Sequence, residues 1–178
     1  FVTDYGVFLL GRAMDMLRVT VCYTHLNVKL GGAHAGVSVG ADGATHQALE
    51  EVAWTRCLPG MTVIVPADYH DTFKAVKAVA AMYGPCYIRF GRAPMPVVTK
   101  KEDPFVIGRG NLYREGKDLT IFSMGAMLWQ CLIAAEELSA KGIQARVVNM
   151  HTVKPLDEDA VLAAARETGA IVTAEEHQ

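Results

Sequence analysis

Residues 62–65 read Thr-Val-Ile-Val, an unbroken run of β-branched side chains. Such a run is typical of a strand that is buried on both faces of a parallel sheet. Helix patterns flank it: residues 45–58 end at Pro59-Gly60, and residues 69–83 place apolar side chains at helical spacing. A strand between two such helices predicts a parallel α/β sheet with right-handed crossovers.

The alternation of helices and strands extends in both directions from this strand. In the first half of the chain the pattern predicts a helix over 7–21 and strands over 27–33 and 85–90. In the second half it predicts strands over 119–123, 145–149 and 170–174, with helices over 127–140 and 157–168. Residues 92–117 break the pattern with three prolines and a charged run, so we interpret them as a linker with a short strand near Val106.

The predicted fold class is therefore α/β, with two successive three-layer α/β units and mainly parallel sheets. We assign residues 1–94 to the first unit, 95–117 to the linker and 118–178 to the second unit. The chain starts at Phe1 without Met and ends at Gln178, just after a strand-like run. We interpret both units as truncated pieces of a longer protein.

Composition excludes several classes of protein. The 178 residues are 51% hydrophobic and carry a formal net charge of -2, which argues against a broad nucleic-acid-binding surface. The apolar stretches are too short to span a membrane, so no membrane segment is expected. The four cysteines are scattered and no signal peptide is recognisable, which favours a reducing, cytoplasmic location.

Several polar side chains follow directly on predicted strands. His34 follows 27–33, Arg92 follows 85–90, and Asp68 follows 62–65. Ligands of open parallel sheets bind at the carboxyl ends of the strands, so we expect these side chains along one edge. His46 lies in the first turn of the predicted helix 45–58 and, with the preceding Asp42, is expected at the same edge.

The chemistry of these groups suits a phosphorylated sugar. Arg92 offers a bidentate fork to a phosphate or carboxylate, and Asp42 accepts hydrogen bonds from hydroxyls. A helix N-terminus near Thr45 would favour an anion and a neutral His46. The alternatives stay open: Asp42 as a helix N-cap, His46 as a surface histidine and Arg92 as an ordinary arginine. No residues show the spacing of a metal site.

The chain resembles the thiamine-diphosphate-dependent transketolase family. The motifs that carry the resemblance are HAG at 34–36, DGATHQALE at 42–50, PGMTVIVPAD at 59–68, YIR at 87–89 with Gly91-Arg92, VNMHTVKPLD at 148–157 and TAEEH at 173–177. The likeness is to the pyrimidine-binding domain joined to the C-terminal domain, as in the C-terminal section or subunit of a split transketolase.

The resemblance implies roles for particular residues. Tyr5 and Phe8 match aromatic positions around the aminopyrimidine ring of the cofactor. His34 and Arg92 match positions that hold the substrate phosphate, and Asp42 matches one that recognises a sugar hydroxyl. His46 matches a histidine beside the reactive centre, with a catalytic and substrate-binding role. The implied reaction transfers a two-carbon ketol unit from a ketose phosphate to an aldose phosphate.

The resemblance also implies cofactors and partners. Thiamine diphosphate and Mg²⁺ or Ca²⁺ would be bound with a separate diphosphate-binding domain, and the activating Glu of the family would lie upstream of Phe1. We expect an N-terminal transketolase domain or subunit as partner, in a homo- or hetero-oligomer that acts on sugar phosphates. The isolated chain is expected to be inactive.

Other interpretations compete with transketolase. Ala41, where most transketolases have Glu, favours 1-deoxy-D-xylulose-5-phosphate synthase, but His34 and His151-Thr152 differ from that family's pattern. Gly11 replaces an aromatic residue found in the cofactor pocket of some transketolases. The segment 42–47 argues against a 2-oxoacid dehydrogenase beta subunit. A non-catalytic assembly or binding module is the alternative from another class.

Overall fold

The structure is a computed structural model that describes all 178 residues, Phe1–Gln178. The strands are β1 Val2–Tyr5, β2 Lys29–Ala33, β3 Thr62–Ile64, β4 Cys86–Arg89, β5 Asn111–Arg114, β6 Leu119–Ser123, β7 Ala145–Asn149, β8 Thr152–Lys154 and β9 Ile171–Ala174. The α-helices are α1 Gly6–Met16, α2 Glu51–Cys57, α3 Tyr69–Ala81, α4 Met127–Ala140 and α5 Glu158–Glu167. A π-helical stretch, Leu17–Tyr23, extends α1.

The first sheet has the strand order β1-β2-β4-β3-β8. Its first four strands are parallel, and β8 runs antiparallel to β3. Val63 and Ile64 are 0% exposed, and they belong to two hydrophobic clusters. The β-branched run therefore forms the doubly covered strand that the sequence predicts.

The second sheet has the order β5-β7-β6-β9 and is parallel except for β5. The prediction of two successive α/β units with mostly parallel sheets is confirmed. The sequence pattern predicts only three strands here, however, and the short strand expected near Val106 lies instead at Asn111–Arg114. Because β5 is a short, polar edge strand, its residues lack the apolar run that marks the other strands.

The segment before α2 differs from its prediction. The helix expected over 45–58 begins only at Glu51, and Val37–Thr45 forms a 3-10 stretch instead. Gly40 and Gly43 interrupt this stretch with φ values of 74° and 70°. Such left-handed backbone ends a regular helix, and only glycine adopts it without strain. We call Gly36–Glu50 the rim loop.

The two units are joined by strand pairing and by hydrophobic packing as well as by the connecting segment. Strand β8 comes from the second half of the chain but pairs with β3 of the first sheet. Ala67 packs in the hydrophobic cluster of the second unit, and Met124 packs in that of the first.

Buried polar side chains line the junction, and we call them the seam: Glu51, Asp68, Asp71, Arg89, Asn149, His151 and Glu176.

None of the helices combines the length and apolar character needed to cross a bilayer.

Candidate functional site

Six polar and aromatic side chains converge at the carboxyl edge of the first sheet, and we call them the rim. They are Tyr5 at the end of β1, Phe8 in α1, His34 after β2, Asp42 and His46 in the rim loop, and Arg92 after β4. Direct contacts link all six. The strand-end argument places His34, Asp42, His46 and Arg92 at this edge, whereas Tyr5 and Phe8 are named only by the family resemblance.

Asp42 lies between two cationic or potentially cationic groups. Arg92 Nε is 2.8 Å from Asp42 Oδ2, and His34 Nε2 is 3.9 Å from the same oxygen. Arg92 is 40% exposed, and its only other contact is a long one of 3.5 Å from Nη1 to the Val39 carbonyl. Because Asp42 occupies Nε and Nη1 faces the Val39 carbonyl, Nη2 remains for an incoming anion.

The aromatic rings of the rim meet edge to face. The Tyr5 ring centroid lies 4.3 Å from that of His34 and 5.5 Å from that of His46. Phe8 lies 5.2 Å from His46 and 5.7 Å from Tyr5. Tyr5 remains 37% exposed. This arrangement leaves a partly exposed aromatic surface beside the charged groups.

Thr45 orients the His46 ring. Its Oγ1 lies 2.8 Å from His46 Nδ1, so Nε2 is the ring nitrogen that Thr45 does not contact. The helix N-terminus expected near Thr45 is not there. Helix α2 starts only at Glu51, so no helix dipole acts at Thr45.

The structure decides one of the structural alternatives. Asp42 is not a helix N-cap, because it lies inside the 3-10 stretch and Glu50 precedes α2. His46 contacts the Thr45 hydroxyl and the rings of Tyr5 and Phe8, an arrangement that a satisfied surface histidine shares.

Asp68 does not join the rim. It caps α3 through the Asp71 amide and accepts hydrogen bonds from the amides of Val98 and Thr99 and from the Thr99 hydroxyl. Burial alone would raise the pKa of Asp68, but these hydrogen bonds outweigh it and hold the pKa below its ordinary value. With its oxygens so occupied, Asp68 is a structural residue of the seam.

Arg12 borders the rim, although the sequence analysis does not name it. Its guanidinium carbon lies 4.5 Å from the centroid of the Phe8 ring, which is a cation–π contact. The signal available in the sequence is the i,i+4 spacing of Phe8 and Arg12, which brings two side chains together on a helix.

The rim fits part of thiamine diphosphate. Tyr5 and Phe8 offer partly exposed rings against which an aromatic heterocycle can pack, and polar groups lie beside them. The diphosphate and its metal find no counterpart, since no group of three or more His, Cys, Asp or Glu side chains in the chain could hold a metal ion. The rim thus suits a heterocycle and a sugar phosphate.

Two transketolase domain models match the chain. Residues 1–97 match the transketolase pyrimidine-binding domain, and residues 108–178 match the transketolase C-terminal domain. The chain belongs to the transketolase family. The 6-deoxy-6-sulfo-D-fructose transketolase subunit SqwH of Clostridium sp. (strain MSTE9) is 43% identical over 98% of this chain and 54% of its own length. An apulose-4-phosphate transketolase subunit of Phocaeicola vulgatus is 41% identical over 99% of this chain and 57% of its own.

A solved structure agrees as well. A split-gene transketolase, described as an inactive beta4 tetramer, is 47% identical and superimposes with a TM-score of 0.91. The superposition covers 98% of this chain and 56% of the other. The chain thus spans about half the length of the relatives that it matches, at 54% and 57% of the two subunits.

Proposed function

We propose that this chain supplies the substrate-facing half of a transketolase-type active site, which transfers a two-carbon ketol unit between sugar phosphates. The observation that carries the proposal is the convergence of His34, Asp42 and Arg92 beside the rings of Tyr5, Phe8 and His46. A cation for phosphate, an acceptor for hydroxyls and an aromatic surface for a heterocycle then lie within one rim.

Each rim residue receives a proposed role. Arg92, mainly through its Nη2 group, and His34 hold the substrate phosphate. Asp42, which lies 2.8 Å from Arg92, accepts a hydrogen bond from a sugar hydroxyl. His46, with Nδ1 engaged by Thr45, presents Nε2 to substrate hydroxyls and holds or moves a proton there.

Tyr5 and Phe8 are the residues that would hold the aminopyrimidine ring of thiamine diphosphate. The cofactor supplies the carbon nucleophile of the reaction when bound. The diphosphate and Mg²⁺ or Ca²⁺ require groups from an N-terminal transketolase domain or subunit, so we propose such a partner and an oligomer. We also propose residues 1–94 and 118–178 as the main parts of the two domains, with β5 of the intervening segment added to the second sheet, and a cytoplasmic location.

The test combines the full-length subunit with its N-terminal partner, thiamine diphosphate and Mg²⁺. We expect xylulose 5-phosphate and ribose 5-phosphate to be converted to sedoheptulose 7-phosphate and glyceraldehyde 3-phosphate. The subunit without its partner is expected to give no product. Conversion by the subunit alone would contradict the division of the site between chains.

The second candidate is 1-deoxy-D-xylulose-5-phosphate synthase, which Ala41 favours. The same mixture is therefore supplied with pyruvate and glyceraldehyde 3-phosphate. Transketolase function predicts no release of carbon dioxide, whereas decarboxylation of pyruvate would establish the synthase instead. Sulfofructose and apulose phosphate, the substrates named for two relatives, are compared with xylulose 5-phosphate as donors.

A further inference from the structure

The last residues of the second unit reach back to the rim loop. Glu176 Oε1 accepts a hydrogen bond from the backbone N–H of Ser38 at 3.2 Å. The backbone N–H of Gln178 donates to the carbonyl of Leu49 at 2.7 Å. These two contacts lie near the two ends of the loop that carries Asp42 and His46, although 138 residues separate Ser38 from Glu176 along the chain.

The base of the rim loop is closed and tightly packed. The N–H of Gly36 donates to the carbonyl of Ala48 at 2.8 Å. A Cβ at Gly36 would lie 2.7 Å from Arg89 Nη2 and 2.8 Å from Glu176 Oε2, and its φ is +87°. Only glycine allows the loop to come this close to the Glu176 carboxylate.

Arg89 holds Glu176 in place from the side of the first sheet. Its Nη1 is 4.0 Å from Glu176 Oε2, and its Nε is 2.5 Å from Glu51 Oε1 at the start of α2. The side chains of Arg89 and Glu176 are 3% and 6% exposed, so little water competes for these contacts. The Glu176 carboxylate therefore has a defined position, and a charge-assisted hydrogen bond ties the rim loop to it.

We propose that Glu176 is a positioning residue, which fixes the rim loop and thereby holds Asp42 and His46 opposite His34 and Arg92. Glu176 contacts the loop at the Ser38 amide, and we assign it no contact with the substrate. The catalytic part of this inference rests on the proposed function, whereas the anchoring of the loop does not. Loosening the loop changes the placement of Asp42 and His46, and small misplacements reduce rates strongly.

Two conservative variants of the full-length subunit separate the contributions of length and charge. Glu176→Asp keeps the charge beside Arg89 but is one methylene too short to reach Ser38. Glu176→Gln loses the charge but keeps an amide oxygen at the right distance. The matched control is Glu175→Asp, which shortens the neighbouring, exposed carboxylate, whose partner is His177 rather than the rim loop.

The first readout is amide hydrogen exchange over residues 37–47 in the subunit itself. We expect Glu176→Asp to raise the exchange rate of this segment about tenfold, because the closing hydrogen bond is lost. Glu176→Gln and Glu175→Asp should stay within about twofold of the parent protein. Unchanged exchange in Glu176→Asp, or an equal increase in Glu175→Asp, would overturn the anchoring role.

The second readout is steady-state kinetics of the assembled enzyme. Glu176→Asp should lower kcat by about tenfold with little change in KM for the sugar phosphate, and Glu176→Gln should restore most of it. Equal loss in both variants would overturn the positioning role. If the parent assembly shows no ketol transfer, the proposed function fails, while the exchange result still decides the anchoring.

Discussion

The rim and the seam are built from the same kinds of side chain, but those of the rim are partly exposed and those of the seam are buried. Both contain carboxylates, histidine and arginine. In the rim, Arg92 is 40% exposed and Asp42 is 31% exposed. In the seam, Arg89 is 3% exposed and Glu51 is 0% exposed. The difference shows that burial, and not residue type, separates groups available to a ligand from groups that hold the fold together.

The two histidines next to threonines illustrate the comparison. His46 and His151 each have Nδ1 near a neighbouring threonine hydroxyl, at 2.8 Å and 3.0 Å. His46 lies among partly exposed rings, whereas His151 is 0% exposed and stacks on Phe105 at 4.1 Å. Burial lowers the pKa of His151, against the pull of Asp71, so its ring stays neutral inside the seam.

The largest expected effect is on stability, at Arg89. Arg89→Leu removes the guanidinium beside two buried carboxylates and should reduce the free energy of unfolding by about 3–5 kcal/mol. Arg92→Leu, the matched change in the rim, should cost less than about 1 kcal/mol, because its ion pair is exposed. Urea unfolding at pH 7 measures both, and similar losses would remove the distinction between rim and seam.

The loss of unfolding free energy caused by Arg89→Leu should also depend on pH, which sharpens this comparison. Burial raises the pKa of Glu51, while Arg89 opposes the rise. Without Arg89 the carboxyl takes up a proton more readily, so the destabilisation should be smaller at pH 5 than at pH 8.

The next effect is on substrate affinity, at Arg92. Arg92→Ala should raise KM for phosphorylated sugars by the loss of one charge-assisted contact, about 1.5–3 kcal/mol or roughly 10- to 150-fold. Arg109→Ala provides the control, since Arg109 is a 58% exposed arginine paired with Asp157 and Asp159, away from the rim. An unchanged KM in Arg92→Ala would contradict its role as a phosphate ligand.

A somewhat smaller effect is expected at Asp68, and it depends on pH. Its folded-state pKa is held below the unfolded value of about 3.9, so its stabilisation is complete above that value. The stabilisation is lost as the pH falls through the folded pKa. Asp68→Asn should therefore cost about 1–3 kcal/mol at pH 7 and less at pH 3, as measured by chemical unfolding.

The exposed Asp159→Asn serves as the reference for Asp68→Asn. Asp159 is 80% exposed, so its substitution should change the free energy of unfolding by less than about 1 kcal/mol at either pH. A gap between Asp68→Asn and the parent that stayed constant from pH 7 to pH 3 would contradict the depressed pKa of Asp68.

The smallest effect is expected at the two threonines. Thr45→Val removes the hydroxyl beside His46 and should lower kcat by less than about tenfold without changing stability. Thr152→Val removes the hydroxyl beside His151 and should lower stability while kcat stays the same. Kinetics and unfolding of both variants test the assignment, and the reverse pattern would refute it.

The sequence predicts those parts of the molecule whose local pattern agrees with their final environment. The run at 62–65 is apolar because both of its faces are covered, and His34 and Arg92 follow parallel strands whose ends lie at one edge. The Gly40 and Gly43 backbone could not be foreseen, because glycine fits helical and left-handed conformations alike and only the folded loop selects one.

Asp68 shows a second limit of sequence-based prediction. It follows a strand as His34 and Arg92 do, yet its partners Val98 and Thr99 come from the predicted linker. Contacts between residues 30 and 31 positions apart cannot be inferred from local spacing.

Strand β8 has a consequence for synthesis on the ribosome. The edge of β3 pairs with Thr152–Lys154, which are made long after the rest of the first sheet. Until those residues emerge, the nascent first unit carries an open strand edge, which is a template for pairing with other chains. Nascent chains stalled before residue 152 should therefore depend on chaperones, and completion of β8 should release them.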